Sequence, residues 1–120
     1  MRLIIFILLP CFYACNTNHS LKMQRDELWS MIRSGNQNEI IIAINEIHKR
    51  NDTMLLDAIL FNADDSRISH LLKFYGKSIY QIKMEAIMDI TGIKPPKVIT
   101  NKPDSSIINF YSNIVENFEN

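Results

Sequence analysis

Apolar residues recur at helical spacing along most of the chain after residue 23, and this pattern predicts a series of amphipathic helices. The clearest case is the stretch 38–50, NEIIIAINEIHKR. Four isoleucines of this stretch fall on one helical face: Ile40, Ile41, Ile44 and Ile47. A buried strand would also fit this periodicity, but the run is longer than 12 residues and contains no turn signal, so a helix is favoured. Asn38 is expected to cap its start.

The same spacing predicts further helices on both sides of this one. They run over 23–34, 53–62, 67–75 and 78–91, and from residue 104 onward. A glycine closes three of them, at Gly35, Gly76 and Gly92. Asp52 is expected to cap the 53–62 helix, and Asp104 or Ser105 the last one. No hairpin dipeptide or series of strands is present, so the predicted fold class is all-α.

The segment between the last two helices contains two consecutive prolines, Pro95 and Pro96. Proline lacks a backbone N–H, so these residues prevent the preceding helix from resuming. Val98 and Ile99, which follow them, could form a short extended piece.

Two parts of the chain correspond at an offset of 43 residues. The matched positions are Leu28 with Leu71, Ile32 with Tyr75, Ala43-Ile44 with Ala86-Ile87, and Glu46-Ile47 with Asp89-Ile90. A period of roughly 40–47 residues is typical of HEAT and armadillo arrays. The second unit, SIYQIKMEAIMDITG, resembles a HEAT repeat. The resemblance implies a HEAT-like domain over 23–120, with about two helical hairpins and a C-terminal capping helix. The alternative is a generic irregular helical bundle whose amphipathic helices match by coincidence.

The first 15 residues, MRLIIFILLPCFYAC, have the organisation of a secretory signal peptide. Arg2 supplies the positive charge, residues 3–9 form an uninterrupted apolar run, and the small residue Ala14 precedes Cys15. A transmembrane helix needs about 20 apolar residues. Here polar residues follow directly after Cys15, so a cleaved leader over 1–14 is predicted rather than a membrane span.

Phe12-Tyr13-Ala14-Cys15 resembles the lipobox of bacterial lipoproteins, in the loose form found in Bacteroidetes-like species. The resemblance implies cleavage between Ala14 and Cys15 and a diacylglycerol group on the Cys15 thiol. Residues 15–22 would then be a tether that holds the protein in the cell envelope, at the outer rather than the inner membrane. The alternative is a plain signal peptide cleaved near Ala14, which leaves Cys15 as an ordinary thiol.

Cys11 and Cys15 are the only cysteines in the chain. A disulfide between them is not expected, because Cys11 would leave with the leader. Their C-x3-C spacing is not a zinc motif. The three histidines, His19, His48 and His70, lie far apart in the sequence, and their spacing does not indicate a shared metal site. No metal or cofactor is therefore expected.

Charge and motifs exclude several classes of function. Lysine plus arginine equals aspartate plus glutamate, at 13 each, so neither nucleic acid nor an anionic membrane surface is indicated as a partner. No phosphate-binding, metalloprotease or nucleophile motif occurs, and the chain is not predicted to be an enzyme. Glu85 and Asp89 share a helical face and could act as an acid and base. A solvated polar face is the favoured interpretation.

The predicted function is a non-enzymatic envelope lipoprotein that binds another envelope protein. The candidate contact residues lie on the polar edges of two helices: Glu46, Lys49, Arg50, Lys83, Glu85 and Asp89. Ile42 and Phe110 fall outside the apolar stripes of their helices and are candidates for a second interface. The alternatives are a toxin-neutralising or inhibitor lipoprotein and an enzyme whose site the sequence does not identify.

Overall fold

The structure, a computed structural model, describes residues 17–119 and the side chains of residues 24–118. This part of the chain contains five α-helices: α1 (Thr17–Arg33), α2 (Gln37–Arg50), α3 (Leu56–Leu60), α4 (Ile79–Thr91) and α5 (Ser105–Glu119). Two short 3-10 turns, Thr53–Leu55 and Leu72–Phe74, lie between helices. The all-α prediction is confirmed. The predicted leader and the lipid-attachment residue Cys15 lie outside the described residues.

The core forms around α2, which packs against α1 and against α4. The four isoleucines that predicted this helix are all buried, because its apolar stripe is covered from both sides. The short helix α3 contacts α1, α4 and α5, and α5 packs on α4 through Ile107, Tyr111 and Val115, which are buried. Among the described residues, no helix is both long enough and apolar enough to span a membrane.

Polar side chains fix where most helices begin. The Asn36 side chain accepts a hydrogen bond from the backbone N–H of Glu39 at 3.1 Å, so Asn36 is the cap of α2. The prediction of Asn38 is wrong, because this residue already lies in the first helical turn. Asp52 accepts from Met54 as predicted, but it begins a 3-10 turn that passes into α3. Asp104 accepts from the N–H of Ser106 at 2.9 Å and starts α5, also as predicted.

The prediction of a helix over residues 67–75 is wrong. Residues 68–78 form a loop, here called the bridge loop, that is closed by an antiparallel β-bridge between Ile68 and Ser78. Ser69 is buried, and its N–H donates to the carbonyl of Lys77 at 2.8 Å. Its own carbonyl accepts from the N–H of Gly76 at 3.1 Å. These cross-loop bonds replace the helical ones, so His70 does not lie in a helix.

The offset of 43 residues holds for one helix of each predicted hairpin. Ala43-Ile44 in α2 and Ala86-Ile87 in α4 are all buried. Leu28 and Ile32 are buried in α1, whereas their counterparts Leu71 and Tyr75 lie in the bridge loop. The first predicted hairpin is therefore α1–α2, and the second unit supplies α4 alone. The HEAT resemblance stays a prediction.

Candidate functional site

An open groove runs between the second half of α4 and the proline-containing segment 94–99. Its volume is about 450 Å³. We call it the proline groove, and its lining is Glu85, Met88, Asp89, Lys94, Pro95, Pro96, Lys97, Val98 and Ile99. Met88 and Ile99 are half-buried and pack against the core, whereas Val98 is 85% exposed. The groove therefore combines apolar contact area with charged side chains.

The groove exists because the chain leaves α4 abruptly. Gly92 ends the helix in the left-handed conformation, at φ 70°, which a residue without a Cβ adopts readily. The carbonyl of Ile93 then accepts a hydrogen bond from Tyr111 Oη at 2.8 Å, which fixes the segment to α5. Pro95 and Pro96 follow shortly after, and because proline lacks a backbone N–H they prevent the chain from returning to a helix. Residues 94–99 form one wall of the proline groove. This wall is attached to α4 through the chain and to α5 through the hydrogen bond of Tyr111.

The far end of this segment is also fastened. The side chain of Asn101 accepts from the N–H of Ser78 at 3.0 Å and donates to the carbonyl of Gly76 at 2.8 Å. These two bonds connect the chain just after residues 94–99 to the end of the bridge loop. A groove held at both ends is preformed, which reduces the entropy that a bound partner would have to remove.

The two sides of the proline groove carry opposite charges. On the α4 side, Glu85 accepts from Lys77 Nζ at 2.7 Å and from Gln81 Nε2 at 2.8 Å. Asp89 lies 3.0 Å from His48 Nε2, across the contact between α4 and α2. On the other side are Lys94 and Lys97, the second of which lies 3.7 Å from a carboxylate oxygen of Asp104. A ligand in the groove would meet carboxylates on one side and ammonium groups on the other.

The six residues predicted for partner contact do not form one surface. Glu85 and Asp89 line the proline groove. Glu46 pairs with Arg50 at 2.8 Å along α2, and Arg50 borders a separate depression that also includes Arg25, Asp52 and Met54. Lys49 is exposed on α2. Only two of the six candidates therefore belong to the groove.

The prediction of Lys83 as a contact residue is wrong, because this side chain is 1% exposed. Its Nζ donates to the carbonyls of Phe61 at 2.5 Å and Asn62 at 3.2 Å, directly after α3. Burial lowers the pKa of Lys83 to about 8, although the negative charge of Asp65 acts in the opposite direction. Lys83 fastens α4 to the end of α3 and does not reach a partner.

The other interface, acid–base and metal-site candidates from the sequence are not brought together in one place. Ile42 is 53% exposed on α2, whereas Phe110 is half-buried against the core. Glu85 and Asp89 do share a face of α4, but they are bonded to different side chains, Glu85 to Lys77 and Asp89 to His48. Within the described part of the chain, no group of three or more His, Cys, Asp or Glu side chains is placed to hold a metal ion.

Sequence reasoning missed the wall of the groove. The prolines of the stretch KPPKVI, residues 94–99, predict only a helix stop and a short extended piece. The available signal was Val98, a β-branched residue in a polar, proline-rich connection with no helical stripe to join. Its position on the groove depends on Tyr111 and Asn101, which lie further along the chain, so sequence spacing did not indicate it.

Comparison of the chain with protein-family models, with curated proteins and with solved structures finds no match.

Proposed function

We propose that this chain is a non-enzymatic, protein-binding module of the bacterial cell envelope, held at a membrane by lipid on Cys15. The lipobox resemblance supports the anchor and the envelope location. The observation that carries the binding function is Val98, an aliphatic side chain left 85% exposed on a preformed groove. Large apolar side chains exposed beside a groove with charged edges are typical of protein-contact sites.

The chemistry of the groove favours an extended segment of another protein as its ligand. Met88, Val98 and Ile99 offer an apolar surface, so the centre of the segment would be an aliphatic or aromatic side chain. Glu85 and Asp89 on one side and Lys94 and Lys97 on the other would orient charged residues that flank this side chain. Charge of both signs along one groove sets the direction of a bound segment, and like charges placed against each other weaken its binding.

Photo-crosslinking in intact cells tests this proposal. A photoreactive amino acid replaces Val98 in one version of the full chain and Asn113, an exposed polar residue of α5, in the matched control. We expect position 98 to form an adduct with an envelope protein that position 113 does not form. Reversing the basic edge with Lys94→Glu and Lys97→Glu should remove that adduct. Identical adducts at the two positions, or none at position 98, would contradict a binding role for the groove.

A further inference from the structure

The bridge loop presents large apolar side chains to solvent at its tip, which we define as His70, Leu72, Lys73 and Tyr75. Leu72 is 95% exposed and Tyr75 is 72% exposed. The fold removes almost none of the Leu72 side chain from water, so this residue contributes little to the stability of the described domain. Two large exposed apolar side chains, three residues apart on one loop and beside polar residues, are a feature typical of a surface that makes contacts outside the molecule.

The tip is held on a rigid support. The β-bridge between Ile68 and Ser78 closes the loop, and the Asn101 side chain bonds to Gly76 and Ser78. Between the exposed residues, Phe74 turns inward and packs against the core. Because Phe74 packs against the core while Leu72 and Tyr75 stay exposed, the loop displays these two side chains instead of folding over them.

The charge of this region is positive, in contrast to the balance of the whole chain. No acidic residue occurs between Asp65 and Glu85. Of the three basic residues in or next to the bridge loop, Arg67 pairs with Asp65 and Lys77 pairs with Glu85. The third, Lys73, lies at the tip, and its Nζ donates to the side-chain oxygen of Asn45 at 3.0 Å, which leaves its charge uncompensated by that bond.

We propose that the tip of the bridge loop binds the surface of a bilayer that contains anionic lipids. Leu72 enters the boundary of the acyl chains, Tyr75 lies among the headgroups and Lys73 meets their phosphates. A projecting aliphatic residue beside an aromatic one and a cation is the combination that membrane interfaces favour. The equal numbers of acidic and basic residues in the whole chain predicted no attraction to an anionic membrane. The net charge of the whole chain does not show the local excess of positive charge around the bridge loop.

A lipid surface fits the tip better than a protein pocket does, for reasons of shape and chemistry. The tip exposes Leu72 almost fully, whereas the proline groove is concave, and a fluid bilayer accepts an exposed side chain without a preformed cavity. A basic residue near an anionic membrane adds a favourable electrostatic contribution. This inference does not depend on acylation of Cys15, so it can fail or succeed independently of the proposed anchor.

Lipid-borne quenching of a fluorophore tests the contact. The full chain with Cys11→Ser and Cys15→Ser carries a fluorophore on His70→Cys. This substitution removes the edge contact between the His70 and Tyr75 rings but keeps the Leu72 and Tyr75 side chains. The matched control carries it on Asn113→Cys. Vesicles contain phosphatidylcholine and brominated phosphatidylcholine, with or without phosphatidylglycerol. We expect several-fold stronger quenching at position 70 than at position 113, and stronger quenching when phosphatidylglycerol is present.

Two further variants show which side chains make the contact. Leu72→Ser together with Tyr75→Ser should reduce quenching at position 70 to the level of the control, while the helical circular dichroism stays unchanged because both side chains are exposed. Lys73→Gln should remove the effect of phosphatidylglycerol. Equal quenching at positions 70 and 113, or quenching that survives the double serine variant, would overturn the proposal. Quenching at position 70 that does not depend on phosphatidylglycerol would also overturn it.

Discussion

Lys83 places an ammonium group in the protein interior, and this makes the stability of the fold depend on pH. Burial lowers its pKa to about 8 from the ordinary value of 10.5, so between these values the unfolded chain binds more protons than the folded one. The free energy of unfolding therefore rises with pH across this window. We expect a rise of about 2 kcal/mol between about pH 7 and about pH 9.5, measured by urea unfolding.

The control for this prediction is Lys83→Met, which keeps an unbranched side chain but cannot titrate. The variant leaves the carbonyls of Phe61 and Asn62 without their donor, so it should be less stable than the wild type at pH 9.5. Its unfolding free energy should stay flat over the window in which the wild type gains stability. An equal rise in both proteins would show that another group causes the pH dependence.

Tyr111 links α5 to the start of the groove segment through a single hydrogen bond, from its Oη to the carbonyl of Ile93. Tyr111→Phe removes this donor without changing the packing of the ring. We expect the free energy of unfolding to fall by about 1 kcal/mol, the usual value for one such bond. Tyr75→Phe is the matched control, because Tyr75 is exposed, and thermal unfolding should separate the two variants. Equal stability of both variants would mean that the Tyr111 bond does not hold the segment.

At the level of single residues, sequence patterns indicated the buried face of α4 better than its polar face. Ile79, Ile82, Ile87 and Ile90 are buried as their spacing required. The charge of Lys83 predicts a position in solvent, as it does for Glu85 and Asp89. Lys83 is buried because its ammonium group bonds to the carbonyls of Phe61 and Asn62, which follow α3 more than 20 residues earlier in the chain. Helical spacing within α4 contains no information about these carbonyls.

For whole elements, the start of α2 provides a direct test of how a helix is fixed. Asn36 has the extended backbone conformation of a cap and accepts from the N–H of Glu39, whereas Asn38 lies inside the first turn and is exposed. Asn36→Ala should lower the free energy of unfolding by about 1 kcal/mol. Asn38→Ala should change it by less than about 0.5 kcal/mol. Chemical unfolding of the two alanine variants distinguishes the positions, and a larger loss for Asn38→Ala would contradict this assignment of the cap.

The bridge loop shows why one element could not be predicted. Leu71, Leu72, Phe74 and Tyr75 suggested an amphipathic helix, but contacts distant in the sequence determine its shape. The Gln37 side chain donates to the carbonyl of Ile68, and Arg67 donates to the carbonyl of Gly35 at 2.9 Å. These bonds hold the start of the bridge loop against the turn between α1 and α2. They compete with helical hydrogen bonds in residues 67–75, a stretch that is already too short to form a stable helix by itself.

Across the whole molecule, the two proposed contact surfaces are mechanically connected. Asn101 ties the end of the bridge loop to the segment that follows the groove, and Lys77 of the loop pairs with Glu85 at the groove edge. A bilayer contact at the loop tip would therefore restrict the orientation in which the groove meets a protein partner. This arrangement suits a module that binds its partner close to the membrane surface.

Lipid attachment to Cys15 is the claim on which both the envelope location and the class of partner depend. The most direct test is the intact mass of the protein extracted with detergent from a bacterial membrane fraction. We expect the mass of residues 15–120 plus diacylglycerol and any further acyl chain, and no such species when the chain carries Cys15→Ser. The mass of an unmodified chain, recovered from the soluble fraction, would contradict the lipoprotein account.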